Sequence, residues 1–247
     1  MARYDFSSPR LFVEADLAEG QTIALAPDQS NYLVAVLRLR EGAGVLVFNG
    51  RDGEYAARLA APTRKGARLV IAARERAQEF APDLDYLFAP LKHARLDYVA
   101  QKAVEMGARR LRPVLTRRTQ ATRVNLERLR ANAREAAEQC GVVWLPEILA
   151  EAPLDKVLEQ WPAQRLLIFC DEDAPCANPI AALAGRQAPQ GAGLLIGPEG
   201  GFEEAERAAI LRAPNVLRLS LGPRILRADT AAVAALALIQ AQLGDWR

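Results

Sequence analysis

Twice in its last third the chain runs an apolar strand into a glycine loop and then into a helix. This repeated layout limits the possible folds more than any other feature. Leu194 to Glu206 reads LLIGPEGGFEEAE, an apolar strand closed by Gly-Pro-Glu-Gly-Gly and opening into an acidic helix start. Shortly after it, Val216 to Leu221 leads into Gly222-Pro223-Arg224 and then into a long alanine-rich helix. Glycine loops at the C-terminal ends of neighbouring strands are where open α/β sheets bind ligands. The pair therefore predicts a small-molecule site.

Upstream the pattern divides in two. Residues 1–73 read as short strands: Arg10 to Val13, Thr22 to Leu25, Val45 to Asn49, Tyr55 to Leu59 and Arg68 to Ala72. Asn49-Gly50 and Asp52-Gly53 supply turn chemistry, Asp28 is placed to cap a short helix through Tyr32 to Leu37, and the spacing suits a small β-barrel. Arg74 to Asp83, charged and aperiodic, reads as a linker opening the second part, 74–247. There strands alternate with helices. Leu84 to Ala89, Leu111 to Leu115, Leu166 to Cys170, Leu194 to Ile196 and Val216 to Leu219 are the strands, with helices over Arg95 to Met106 and, capped by Asn125, Leu126 to Cys140. The alternation predicts an α/β fold with a mostly parallel sheet covered on both faces.

Composition excludes several classes. No run of about 18 apolar residues marks a membrane span, and MARYDFSSPRLF lacks the signature of a secretory leader, so a cytoplasmic protein is expected. Cys140, Cys170 and Cys176 lack CxxC spacing and, with His93 the one histidine, make a poor metal set; no metal is expected. A formal net charge of +2 hides a segregation: Lys92 to Arg134 holds twelve Lys/Arg against three Asp/Glu, while Val143 to Glu206 holds three against eleven. One basic face suits a polyanion such as nucleic acid, or simply solubilises exposed helices. On the helix from Arg95, the residues Leu96, Val99, Ala103 and Met106 form a core stripe. Arg95, Tyr98, Lys102 and Glu105 form a neighbouring stripe able to meet RNA or plain solvent.

In the first loop, Gly197, Gly200 and Gly201 let backbone approach a ligand closely. The loop has neither the GK[ST] ending of a phosphate loop nor GxGxxG spacing, and Glu199 inside it repels phosphate. A ligand without phosphate, carrying positive charge, fits. S-adenosylmethionine is one such molecule, and sugar or amino-acid ligands also fit. In the second loop Arg224 and Arg227 are placed to hold a substrate phosphate, to polarise a carbonyl, or to pair with the acidic segment. Asp229 or Thr230 can cap the final helix, whose nearly all-round apolar surface predicts burial on more than one side or a partner subunit.

Together LLIGPEGGFEEAE and LSLGPRILRADTA resemble the 16S rRNA uridine-N3 methyltransferases of the SPOUT superfamily. QKAVEMG, AAEQCG before LPEI, FVE near the start and VLRLREGAGVLVFNG agree with it in order along nearly the whole chain. The resemblance implies a PUA-like RNA-binding barrel over 1–73 and a SPOUT methyltransferase domain over 74–247 whose last loops form a trefoil knot. It also implies S-adenosylmethionine as cofactor and a homodimer formed through the knot region. Leu195, Gly197, Glu199 and Gly201 would contact the cofactor from the first loop, and Leu219, Leu221, Gly222, Ile225, Leu226 and Arg227 from the second. Arg10, Lys92, Arg95, Lys102 and Arg224 are the RNA-binding candidates, with small-subunit rRNA as partner. Arg227 is the catalytic candidate for charge stabilisation, and Glu199 the second. Two departures stand out: Val142 where family members usually carry arginine, and Arg227-Ala228-Asp229-Thr230 in place of RTET.

The expected reaction is methyl transfer to N3 of a uridine. A ribose 2′-oxygen methyltransferase would place Ser and Asn in the last motif, which RADTAA does not offer. A noncatalytic RNA-binding assembly factor is the rival from another class, although both cofactor loops are kept.

Overall fold

A computed structural model of the chain describes residues 8–63, 66–120 and 123–246. Residues 1–7, where the leaderless start was read, and the His93 side chain lie outside the described residues. The chain forms two compact units, one of Met1–Phe80 with Ala137–Leu145 and the other of Ala81–Ala136 with Pro146–Arg247.

The smaller unit is a curled five-stranded sheet built from β1 (Arg10–Phe12), β2 (Thr22–Ala24), β3 (Gly44–Phe48), β4 (Glu54–Ala60) and β5 (Arg68–Arg76). Their order is β1-β3-β4-β5-β2, with β1 parallel to β3 and the other pairs antiparallel. Alternating residues Val45, Val47, Ala57, Leu59, Leu69 and Ile71 fill its core, as period-two patterning dictates. At the β3–β4 turn, Asn49 Oδ1 accepts the N–H groups of Arg51 and Asp52. Hydrogen bonds from the Leu17 N–H and the Asn49 amide hold the Asp52 carboxyl below its ordinary range.

Two expectations for this unit are corrected. The strand β5 runs to Arg76, into the stretch read as linker, because Arg76 pairs opposite Glu54 and donates to its carboxylate at 2.9 Å. Asp28 does not cap a helix at Tyr32. Helix α1 (Pro27–Asn31) has Ala26 as its N-cap and Asp28 inside its first turn, and a π-helical turn, Tyr32–Val36, continues it.

In the larger unit come β6 (Leu84–Phe88), α2 (His93–Glu105), β7 (Arg110–Leu115), α3 (Leu126–Cys140), β8 (Glu147–Ile148) and β9 (Ala152–Pro153). They are followed by α4 (Leu154–Glu159), β10 (Leu166–Cys170), α5 (Pro179–Leu183), β11 (Ala192–Ile196), α6 (Glu204–Arg212), β12 (Val216–Leu219) and α7 (Ala228–Gln242). The end of α3 already belongs to the smaller unit. The strand order is β12-β10-β11-β6-β7-β8, β9 also lies beside β7, and every pairing is parallel. The central strands β6 and β11 are buried throughout, as a sheet covered on both faces requires. Tyr86, Phe88, Leu194 and Ile196 pack on one face with Val99 and Ala103 of α2 and with Ala232, Ala235 and Leu236 of α7. Leu87, Leu167 and Leu195 pack on the other with Val157, Trp161 and Ile210. Asn125 caps α3 as expected, accepting the Arg128 N–H at 3.0 Å.

The two glycine loops do not leave neighbouring strands. Strand β10 lies between β11 and β12, because the chain steps to one side of β10 to make β11 and then crosses back to its other side for β12. This reversal of winding opens a crevice at the C-terminal end of the sheet. At the opposite end, Arg165 bonds both Asp83 (2.7 Å) and Asp85 (2.9 Å), and Arg110 pairs with the same two carboxylates. Burial opposes ionisation of Asp83, but hydrogen bonds from Arg165 and Arg110 outweigh it and hold the carboxyl below its usual range. Among the described residues no helix is long and apolar enough to cross a membrane.

Candidate active site

The crevice is a cavity of ≈ 330 Å³ at the end of β10, flanked by the GPEGG loop and the start of α7. Its first wall follows from the sequence of β11. Ile196 ends the buried strand, and a Cβ on Gly197 would meet the Phe202 ring at 2.6 Å, so only glycine admits that ring. The Gly201 N–H closes the turn onto the Pro198 carbonyl at 2.8 Å. Glu203 is the N-cap of α6 and forms a capping box with Glu206. Glu206 also accepts the Arg117 N–H at 2.8 Å, while Arg118 donates to the Gly200 carbonyl at 2.7 Å. Arg95 of α2 pairs with Glu199. Two of these contacts, from α2 and the segment after β7, brace the loop, and the third braces the start of α6.

The second wall is Asp171-Glu172-Asp173 at the end of β10. Buried Asp171 accepts from Arg218 of β12 at 2.6 Å and from Arg207 of α6 at 3.1 Å. One carboxylate thereby ties three elements around the cavity. The hydrogen bond that Arg207 donates to Asp171 holds its guanidinium above the ordinary pKa, burial opposing it. Burial, with Asp171 beside it, pushes the Cys170 thiol well above its usual range and so disfavours the thiolate on the cavity wall. The three cysteines are free and partly exposed.

The third wall is Leu226 with Ala228 and Ala231 at the start of α7, and the turn before it leads into this wall. Gly222 has φ of 99°, a conformation that favours glycine, and its N–H donates to the Ser220 hydroxyl. Arg227 is the N-cap of α7, so the expectation of Asp229 or Thr230 as cap is corrected. Asp229 sits in the first turn, where the helix dipole favours its charge. Burial, with Cys170 and Asp229 nearby, raises the Tyr86 hydroxyl and keeps it protonated.

Of the residues expected at the cofactor, Gly197, Gly201 and Leu226 line the cavity. Leu195 and Leu219 are buried within their strands. Leu221, Gly222, Ile225 and Arg227 belong to the second loop but not to the cavity lining, and Ile225 is fully exposed. Glu199 faces a separate small groove with Lys92 and Gln120.

Of the expected RNA contacts, Lys92 and Arg224 are exposed, Arg95 pairs with Glu199, and Lys102 bonds Glu105 at 2.8 Å beside the Tyr98 ring. Arg10 is corrected outright. It is buried in the smaller unit, 2.7 Å from Glu54, and donates to the carbonyls of Ala137, Glu138 and Val142. Those bonds use the donors an RNA phosphate would need. At Val142 the main-chain carbonyl makes this contact, and any residue supplies it.

Sequence reasoning missed Arg118, Asp171, Glu172, Asp173 and Phe202 on the cavity wall. A signal existed for the acidic trio: it directly follows a strand of the parallel sheet, where ligand loops belong. Among the described residues no group of three or more His, Cys, Asp or Glu could hold a metal ion.

Residues 78–240 match the family model of an RNA methyltransferase domain, and residues 25–72 that of an RNA methyltransferase PUA domain. The chain is 32% identical over 237 residues to ribosomal RNA small subunit methyltransferase E of Synechocystis sp., covering 95% of this chain and 78% of that protein. To ribosomal RNA small subunit methyltransferase E of Rickettsia conorii it is 29% identical over 232 residues, 94% of each. The crystal structure of a ribosomal RNA small subunit methyltransferase E from Neisseria gonorrhoeae bound to S-adenosyl methionine matches with a TM-score of 0.86. The two chains are 27% identical, over 97% of this chain and 100% of that one.

Proposed function

Because the chain belongs to the RNA methyltransferase family, together with the ribosomal RNA small subunit methyltransferases E, we propose that it methylates N3 of a uridine in 16S rRNA. The observation that carries this reading is the near full-length match to a relative solved with S-adenosyl methionine. The residues present fit that cofactor: Gly197 admits the Phe202 ring beside an open cavity, and the exposed carboxylates of Glu172 and Glu204 on its lining suit a cation and oppose a phosphate. Gly197, Gly201 and Leu226 would hold it, with the last two loops entwined as the SPOUT trefoil knot. When bound, S-adenosylmethionine supplies a methyl group on a positively charged sulfur.

N3 of uridine carries an imide proton, and its loss leaves negative charge on the flanking carbonyl oxygens. Arg227 is proposed to stabilise that charge. It stands between the cavity-lining residues Leu226 and Ala228, is exposed, and forms no ion pair among the described residues. Preorganised cations aimed at developing charge are among the largest catalytic contributions. Glu199 is not assigned as base, since Arg95 neutralises it and it faces the neighbouring groove. N3 lies on the pairing edge, so the uridine must be unpaired or flipped out.

Residues 1–73 serve in this reading as the PUA-like module that orients RNA, with 74–247 as the catalytic domain. A cytoplasmic homodimer formed through the knot region and α7 would cover Ile225; light scattering on the purified protein tests the dimer. Mass spectrometry of nucleosides from 16S rRNA of a deletion strain tests the activity. Loss of N3-methyluridine supports it; its persistence refutes it, and loss of a ribose methyl group instead assigns the 2′-oxygen chemistry.

A further inference from the structure

Resting on the reading of the cavity as an S-adenosylmethionine site, we propose that Arg118 binds the carboxylate at the amino-acid end of that molecule. Arg118 stands on neither glycine loop. It follows β7, yet its side chain lines the cavity together with Gly200 and Gly201. One of its Nη atoms donates to the Gly200 carbonyl at 2.7 Å, which leaves most of the five N–H donors of the guanidinium for another partner.

Charge decides what that partner is. Two cations line the cavity, Arg118 and Arg207. Arg207 is balanced by Asp171 at 3.1 Å and Asp173 at 3.7 Å. Arg118 has no carboxylate within ion-pair distance among the described residues, and its neighbour Glu199 is taken by Arg95. The cavity therefore offers one unbalanced guanidinium beside the exposed carboxylates of Glu172 and Glu204. An α-amino acid group is a zwitterion, and it is matched by a cation for its carboxylate and anions for its ammonium. A planar guanidinium fork engages a carboxylate with two parallel hydrogen bonds, a geometry lysine does not reproduce. Through the Gly200 carbonyl, the same side chain fixes the glycine loop against that end of the ligand.

Calorimetry on the full-length protein tests this with S-adenosylmethionine and decarboxylated S-adenosylmethionine, which differ by the carboxylate alone. The wild type is expected to prefer the carboxylated form by roughly 10- to 100-fold. Arg118→Ala is expected to bind the two about equally, while its affinity for the decarboxylated form reports that the variant is folded. Arg118→Lys should regain only part of the preference. A wild type that does not discriminate, or an Arg118→Ala variant that weakens both ligands by the same factor, overturns the assignment. The second result would leave Arg118 as a brace for the loop alone. A wild type that binds neither ligand would instead overturn the cofactor reading itself.

Discussion

Arg95 and Glu199, 104 residues apart in the chain, form an ion pair that joins the first turn of α2 to the glycine loop after β11. Both side chains are partly exposed, at 38% and 46%, so water screens the pair. Its worth to global stability is about 0–1 kcal/mol. Arg95→Ala and Glu199→Ala are each expected to leave the urea midpoint nearly unchanged while weakening S-adenosylmethionine several-fold, because the loop loses a brace. A double-mutant cycle by calorimetry checks the coupling: additive losses would mean that the pair does not position the loop.

Gly197→Ala should push the Phe202 ring off the cavity wall, since the new methyl would approach it at 2.6 Å. Overpacking of this kind costs about 1–3 kcal/mol. Cofactor affinity should fall, and Phe202→Ala in the same chain should restore much of it. No rescue in the double variant would place the damage elsewhere.

Arg227→Ala is expected to lower turnover by roughly 10²-fold, the effect of losing one charge-stabilising donor. Cofactor affinity should stay within about 2-fold, as Arg227 is not part of the cavity lining. Single-turnover methylation of small subunits, alongside calorimetry, separates the two quantities. Equal losses in both would assign Arg227 to cofactor binding.

At the far end of the sheet, Arg165→Ala leaves the buried Asp85 carboxylate without its 2.9 Å partner. Removing one member of a buried ion pair costs about 3–5 kcal/mol. Urea unfolding followed by circular dichroism measures it. A loss below about 1 kcal/mol would mean that Arg110, with Arg112 at 3.5 Å from Asp85, balances the site without Arg165.

Acid acts on the same cluster through Asp83. Its carboxyl is held below the unfolded value of about 4, with burial opposing and Arg165 and Arg110 prevailing. The folded form therefore binds protons less readily than the unfolded chain. The contribution is complete above about pH 4 and disappears as pH falls through the lower folded value. Unfolding curves between about pH 5 and pH 2 should show that decline, and Asp83→Asn should flatten it.

Local chemistry made much of this molecule legible. Period-two runs identify the core strands, Asn125 marks the start of α3, and the GPEGG turn marks the end of β11. What escaped depends on distance along the chain. That β10 intervenes between β11 and β12 follows from how the chain crosses the sheet, which no residue near either loop records. Asp171 looks like one member of an acidic run until Arg207 and Arg218 arrive from later elements. Arg10 looks like an RNA contact because its partners, Glu54 and the carbonyls near Val142, lie far downstream. Cations are read as surface groups by default, and burial beside a carboxylate overturns that default.

The smaller unit takes in residues 137–145, and Arg10 spends its guanidinium on carbonyls there. During synthesis this sets an order of events. When only the first eighty or so residues have left the ribosome, the buried cation at position 10 has Glu54 but still lacks the main-chain oxygens that its Nη atoms engage. The first domain in the sequence therefore completes its fold only after more than half of the chain has been translated.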